Sequence, residues 1–149
     1  MPHPRRTLLV LAAALTATAC SSGDSESDTL LEPLVVTQPE TVVLLQNRVP
    51  DVVMEALWTG PVIRDEGGCL RIGDAQGASV VWPVGFTAEG DRILSDTGAL
   101  VGTVGQSLRM GGGIVGTLHD GLPMSEAEKE RARTLCPGNY WIVGELPDL

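Results

Sequence analysis

The hydrophobic and polar residues divide the chain into a leading apolar segment, a polar spacer and a long region of short apolar runs. Residues 8–15 are continuously apolar, residues 21–28 are Ser-rich and acidic, and from Met54 onward short apolar runs alternate with turn residues. Short apolar runs between Gly- and Asp-containing turns are typical of β-strands in an all-β domain. We expect strands at residues 54–64, 69–72, 78–83, 92–95, 99–104 and 140–143.

Two further features of this region shape the expected fold. Residues 106–110 alternate only weakly and lead into Gly111-Gly112-Gly113, where we expect either a sharp bend or a close approach to another strand. One helix is predicted from Glu126 to Leu135, because Ser125 and Glu128 have the spacing of a capping box. The helix is short and largely polar, so we expect it on the surface.

This order of elements predicts a mainly β fold, a small OB-like Greek-key barrel with one short helix. A two-sheet β-sandwich is the alternative. We expect residues 54–149 to form the barrel domain. Residues 33–53 are predicted to be an extended arm or edge strand, because prolines at positions 33 and 39 interrupt their apolar, β-branched pattern.

The amino terminus has the pattern of a bacterial lipoprotein signal. Arg5 and Arg6 precede the apolar run, which is too short to span a bilayer, and small residues lead to Cys20. We expect residues 1–19 to be a signal peptide and residues 20–32 to be a lipidated cysteine and a flexible acidic tether. Lipid on Cys20 would hold the protein on the extracytoplasmic side of the cell membrane. The alternative is an ordinary secretory signal cleaved after Ala19.

The acidic charge argues against polyanionic partners. The net charge is −9, and removal of the signal peptide with its two arginines leaves −11. The remaining cations are widely scattered and form no basic stripe in the sequence. Nucleic acids and direct docking on anionic lipid are therefore not expected.

Cysteine usage predicts a structural disulfide. If Cys20 carries lipid, Cys69 and Cys136 are the two cysteines that remain, and in an exported domain such a pair usually bonds. The alternative is a reactive thiol, but neither cysteine lies in a Cys-x-x-Cys motif and no histidine is near either in sequence.

The sequence offers little catalytic or metal chemistry. His119 is the only histidine after the signal, so neither a serine triad nor a zinc site is expected, and no cofactor is predicted. The acidic residues lie mostly at predicted turns. The aromatic residues are better candidates for ligand binding, because OB-like barrels often stack ligands on a sheet face. The candidates are Trp82, Phe86, Tyr140 and Trp141, with core packing as the alternative for the tryptophans.

Four motifs occur in an order that resembles a family of small, uncharacterised bacterial exported or lipid-anchored domains. They are Gly67-Gly68-Cys69-Leu70, Val81-Trp82-Pro83-Val84-Gly85-Phe86, Gly111-Gly112-Gly113 and the segment from Cys136 to Gly144. The resemblance covers roughly residues 57–145. It implies an OB-like β-barrel with a Cys69–Cys136 bond, and it brings no catalytic residues.

These observations lead to the hypothesis of a lipid-anchored cell-envelope protein whose barrel is a non-enzymatic binding or accessory domain. Its partner would be an envelope protein, a glycan or a small ligand. The alternative is a small carboxylate-based hydrolase, which would need two acidic side chains facing one cleft.

Overall fold

The computed structural model describes residues 40–51 and 54–146. The expected signal peptide, Cys20, the tether and residues 33–39 lie outside this part of the chain. The described residues form nine strands and one helix. The elements are β1 (Leu44–Leu45), β2 (Ala56–Arg64), β3 (Leu70–Ile72), β4 (Ser79–Trp82), β5 (Thr87–Glu89), β6 (Arg92–Leu94), β7 (Leu100–Thr103), β8 (Ser107–Val115), α1 (Glu126–Leu135) and β9 (Tyr140–Val143).

Five strands close into a mixed barrel. The neighbours run β4-β3-β2-β8-β9, and a parallel pairing of β9 with β4 closes the ring. The other four pairings of the ring are antiparallel. The predicted small OB-like barrel is therefore confirmed, and the closing pairing distinguishes it from the two-sheet sandwich.

A second, three-stranded antiparallel sheet has the order β5-β6-β7. The predicted hairpin around residues 96–98 joins β6 to β7, and the Gly98 N–H donates to the Ser95 carbonyl. Strand β5 was not predicted. Its three residues, Thr-Ala-Glu, carry neither an apolar run nor β-branched enrichment, so they give no strand signal.

Strand β1 runs parallel to β4 at the edge of the larger sheet. Val42 forms an isolated bridge with Cys69, and the Gln46 N–H donates to the Trp82 carbonyl. Residues 42–46 therefore contact both β3 and β4. The Gln46 side chain is buried and donates to the Val143 carbonyl at 2.6 Å, which connects this segment to β9.

The buried residues form two clusters. The first contains Val62, Val80, Trp82 and Trp141, and its members come from the barrel strands and the second sheet. The second lies where α1, β1 and the loop before α1 pack on the barrel, and it includes Leu44, Leu122, Ala132 and Ile142. Strands β4 and β9 contribute residues to both clusters, so both of their faces are covered.

Helix α1 has the predicted bounds and the predicted cap. The Glu128 N–H donates to the Ser125 hydroxyl at 3.1 Å. The helix was expected to lie on the surface, but one of its faces, which carries Lys129 and Ala132, is buried. The Lys129 ammonium donates to Glu126 at 2.6 Å, so the aliphatic stem is covered while the charge keeps a partner.

The glycine triplet lies inside β8, which runs on to Val115 without a chain reversal. Of the two expectations, the close approach is confirmed. A Cβ on Gly112 would lie 2.2 Å from the Ile142 carbonyl oxygen of β9, which is far inside van der Waals contact. Gly112 therefore allows β8 and β9 to pair at the barrel seam.

Candidate functional site

The four aromatic residues predicted to bind ligand are all buried. Trp82 is fully enclosed, and Phe86, Tyr140 and Trp141 are each at most 6 % exposed. Trp82 and Phe86 stack on each other with ring centroids 6.0 Å apart. The core-packing alternative is therefore confirmed for Trp82 and Trp141, and these four residues form no exposed stacking platform. Trp82, Phe86 and Trp141 belong to the first buried cluster, and Tyr140 belongs to the second.

Strand β9 explains why no exposed platform forms. Adjacent residues of a strand point to opposite faces, and Trp141 and Tyr140 belong to the first and second buried cluster respectively. The outer face of β9 is covered by α1 and residues 118–124, which a strand pattern alone does not show. Tyr140 nevertheless reaches a groove on that outer side, so it is the one aromatic candidate that keeps a site role.

The predicted disulfide is present. Cys69 and Cys136 are bonded, with their Cα atoms 5.7 Å apart. The bond joins the turn before β3 to the loop between α1 and β9, and both cysteines are buried. It therefore fixes the position of residues 136–138, and two of them, Pro137 and Gly138, line the groove described below.

Arg71 supports the same loop from beneath. Its side chain is nearly buried and donates to the Gly77 and Pro137 carbonyls at 3.1 and 3.2 Å. Its third partner is the Asp65 carboxylate. Burial alone would raise the pKa of Asp65, but hydrogen bonds from Arg71 and the Cys69 N–H, together with the Arg71 charge, hold that pKa below its ordinary value of 3.8.

We call the depression beside this loop the cystine groove. It lies between the end of β8, helix α1 and the start of β9, and its volume is about 300 Å³. It is lined by residues 116–118, Arg133, Pro137, Gly138 and Tyr140. The disulfide and Arg71 hold the loop that carries Pro137 and Gly138, and the pairing of β9 with β4 and β8 holds the backbone of Tyr140.

The Tyr140 side chain forms the inner end of the groove. The residue is 3 % exposed, and no hydrogen bond among the described residues involves its hydroxyl. Burial raises the pKa of Tyr140 above 10.0, while the nearby charges of Arg133 and Arg71 oppose that rise. The phenol is therefore a neutral donor at ordinary pH, adjacent to two guanidinium groups.

Arg133 forms the outer, charged end of the groove. It donates to the Leu118 carbonyl at 2.9 Å and contacts the Glu130 carboxylate at 3.5 Å. Its side chain is 46 % exposed, so the guanidinium is accessible. Sequence reasoning missed Arg133, because a basic residue in the last turn of a helix is expected for the helix dipole alone.

Two smaller clefts flank residues 48–50. One has a volume of about 180 Å³ and is lined by Arg48, Asp51 and mostly apolar residues that include Met54 and Leu122. The other, about 90 Å³, is largely apolar and lies between Val49 and Val84. Neither contains a residue predicted to be functional.

Acidic and metal-ligating groups are scattered. Within residues 40–51 and 54–146, no three His, Cys, Asp or Glu side chains converge as a metal site would require. His119 is exposed and accepts the Gly121 N–H at 3.2 Å, which accounts for its orientation within its own loop. None of the three clefts has two carboxylates among its described lining residues.

In the described part of the chain, no helix is long and apolar enough to cross a membrane. No family model, curated protein or solved structure matches the chain.

Proposed function

We propose that this protein is a lipid-anchored component of the bacterial cell envelope, and that its barrel is a non-enzymatic domain that binds a ligand in the cystine groove. The anchor follows from the order of paired arginines, apolar run, small residues and Cys20. Membership of the family of small exported domains belongs to the same proposal and rests on the four ordered motifs. The protein would face the extracytoplasmic side of the cell membrane.

The single observation that carries the binding role is the Tyr140 hydroxyl. The Tyr140 ring is buried, but its hydroxyl is not among the fully buried, unpartnered polar atoms of the described residues, so it reaches solvent at the groove. Here the hydroxyl has no partner among the described residues and belongs to a side chain that lines an open groove. An acceptor on a bound ligand would replace water at this hydroxyl.

The composition of the groove favours binding over catalysis. Carboxylate-based hydrolysis needs an acid and a base on opposite sides of the bond that is cleaved. The described groove lining contributes one cation, one phenol and one hydroxyl, but no carboxylate. The hydrolase alternative therefore draws no support from this site, whereas recognition of a polar ligand needs only donors of this kind.

The anchor can be tested separately from the groove. Mass spectrometry of the membrane fraction should find a mature chain that begins at an acylated Cys20. The Cys20→Ala variant should carry no lipid and should no longer yield the mature, membrane-anchored form. A native mature chain that is unmodified and freely soluble would contradict the anchor.

The groove can be tested in cells by site-specific photo-crosslinking. A photoreactive side chain in place of Thr117, at the groove, should give a discrete cross-linked product in the envelope. The same side chain in place of Asp96, an exposed turn residue of the second sheet, is the control. Equal labelling at both positions, or none at Thr117, would contradict the groove as the contact surface.

A further inference from the structure

We propose that the cystine groove recognises the carboxylate of an acidic sugar unit, with the Tyr140 hydroxyl and the Arg133 guanidinium as its two donors. This inference rests on the proposed function and specifies the chemistry of its ligand. Three properties of the groove support it: its donors, its charge and its shape.

The first property is the pair of donors. Tyr140 and Arg133 line the same groove, and Arg133 is close enough to act electrostatically on the phenol. They do not hydrogen-bond to each other, since no such bond is present among the described residues. The two oxygens of a carboxylate can accept one bond from each, and bonds to a charged acceptor are stronger than neutral ones.

Charge selects a monoanion. Arg133 is the accessible cation of the groove, whereas the nearby Arg71 is buried and already bound to Asp65, Gly77 and Pro137. The protein as a whole carries −9. One guanidinium compensates a single negative charge, but a phosphate dianion would leave one charge uncompensated in an acidic protein. A carboxylate therefore fits better than a phosphate.

Arg133 is also held in position while most of its N–H donors remain available to a ligand. Its bond to the Leu118 carbonyl uses one of five donors, and its contact with Glu130 is an exposed pair that contributes little. A ligand carboxylate can replace Glu130 at small cost. The same competition predicts that removing the Glu130 charge tightens binding.

Shape favours a sugar over a peptide. Extended peptides commonly bind by adding a strand to a free sheet edge. Strand β9 already pairs with β4 on one side and with β8 on the other, so β9 offers no such edge at the groove. A groove of about 300 Å³ accommodates a compact ring-sized unit, and its glycine and proline lining leaves room beside the donors.

The test uses the acylated full-length protein in detergent micelles, titrated by calorimetry with glucuronate. Glucose, inorganic phosphate and an Ala-Ala dipeptide with a free carboxylate are the comparison ligands. The variants are Tyr140→Phe, Arg133→Gln and Glu130→Gln. Arg109→Gln is the matched control, because it removes the same charge from an exposed position on β8 outside the groove lining.

We expect glucuronate to bind more tightly than the three comparison ligands. Tyr140→Phe and Arg133→Gln should each weaken glucuronate binding about tenfold or more, the loss typical of a hydrogen bond to a charged group. Arg109→Gln should leave affinity unchanged, and Glu130→Gln should raise it. Tyr140→Phe should not lower the unfolding temperature, because its hydroxyl has no protein partner to lose. In the wild type, glucuronate should raise the pKa of Tyr140 by accepting from the neutral phenol.

Absence of glucuronate binding, equal binding of glucose, or unchanged affinity in Tyr140→Phe would overturn the inference. Tighter binding of phosphate or of the dipeptide would overturn it in favour of those ligand classes. If cross-linking at Thr117 succeeds while glucuronate fails, the groove remains a binding surface and only the assigned chemistry is wrong. If cross-linking at Thr117 also fails, the proposed function fails with it.

Discussion

The Glu128 carboxylate of α1 accepts a hydrogen bond from the Leu45 backbone N–H of β1 at 3.2 Å. Three residues further along the helix, Arg131 donates to the Val43 carbonyl at 3.1 Å. An edge strand exposes unpaired backbone groups, and these two side chains satisfy one donor and one acceptor there. Helix α1 thus covers the β1 edge with side chains where another strand would otherwise pair.

This relationship predicts that Glu128→Ala loosens β1. Loss of a partly buried, charge-assisted bond should lower the free energy of unfolding by about 1.5 kcal/mol. Hydrogen exchange at the Leu45 amide should accelerate more than exchange in β8. Glu130→Ala is the control, since it makes the same change on the same helix at a position where the carboxylate contacts Arg133. Equal effects of the two variants would show that Glu128 acts through helix stability alone.

The disulfide gives a second prediction. Cys69 and Cys136 are 67 residues apart, and closing a loop of that length is worth about 4 kcal/mol on the chain-entropy model. The double variant Cys69→Ala/Cys136→Ala should therefore lose most of that stability in denaturant unfolding. A reducing agent should destabilise the wild type to a similar extent and leave the double variant unchanged. Insensitivity of the wild type to reduction would contradict the prediction.

The sequence predicted well those features that depend on neighbouring residues. The Ser125 cap, the turn at residues 65–68 and the last strand from Tyr140 follow from local chemistry, and the structure has each of them. The Cys69–Cys136 pairing followed from the number of cysteines that remain once Cys20 is assigned to lipid. These predictions need no knowledge of which elements meet in space.

Apart from the missed strand β5, the failures involve distant contacts. Glu128 was predicted to complete a capping box, but its carboxylate bonds to Leu45, 83 residues away. Tyr140 and Trp141 were correctly assigned to opposite faces, yet both are buried because α1 and the loop before it cover the outer face. The cystine groove combines residues that follow β8 with residues from α1, from the loop before β9 and from β9, so no single stretch of sequence carries its signal.

Asp65 gives a prediction about acid sensitivity. Its pKa is below its ordinary value in the folded protein, so its contribution to stability is complete above about pH 4 and is lost as the pH falls through the folded value. Asp65→Asn should cost about 3 kcal/mol at neutral pH, because it leaves the buried Arg71 charge without its carboxylate. In acid the variant and the wild type should converge in free energy of unfolding.

Asp74→Asn is the matched control for this experiment. The Asp74 carboxylate also accepts a backbone N–H two residues ahead, at 2.9 Å, but it is exposed and has no cationic partner among the described residues. Asparagine can keep that bond, so stability should change little at any pH. A pH-independent gap between Asp65→Asn and the wild type would contradict the assignment.

Tyr140 is the only tyrosine in the chain, so phenolate absorbance reports on it alone. Because burial raises its pKa, the folded protein should titrate above pH 10.0 and the chain in denaturant near pH 10.0. Stability linked to the neutral phenol is complete below pH 10.0 and is lost as the pH rises through the folded pKa. Wild-type stability should therefore fall relative to Tyr140→Phe in that range. A folded midpoint at or below 10.0 would show that burial of the ring does not raise the pKa of the phenol.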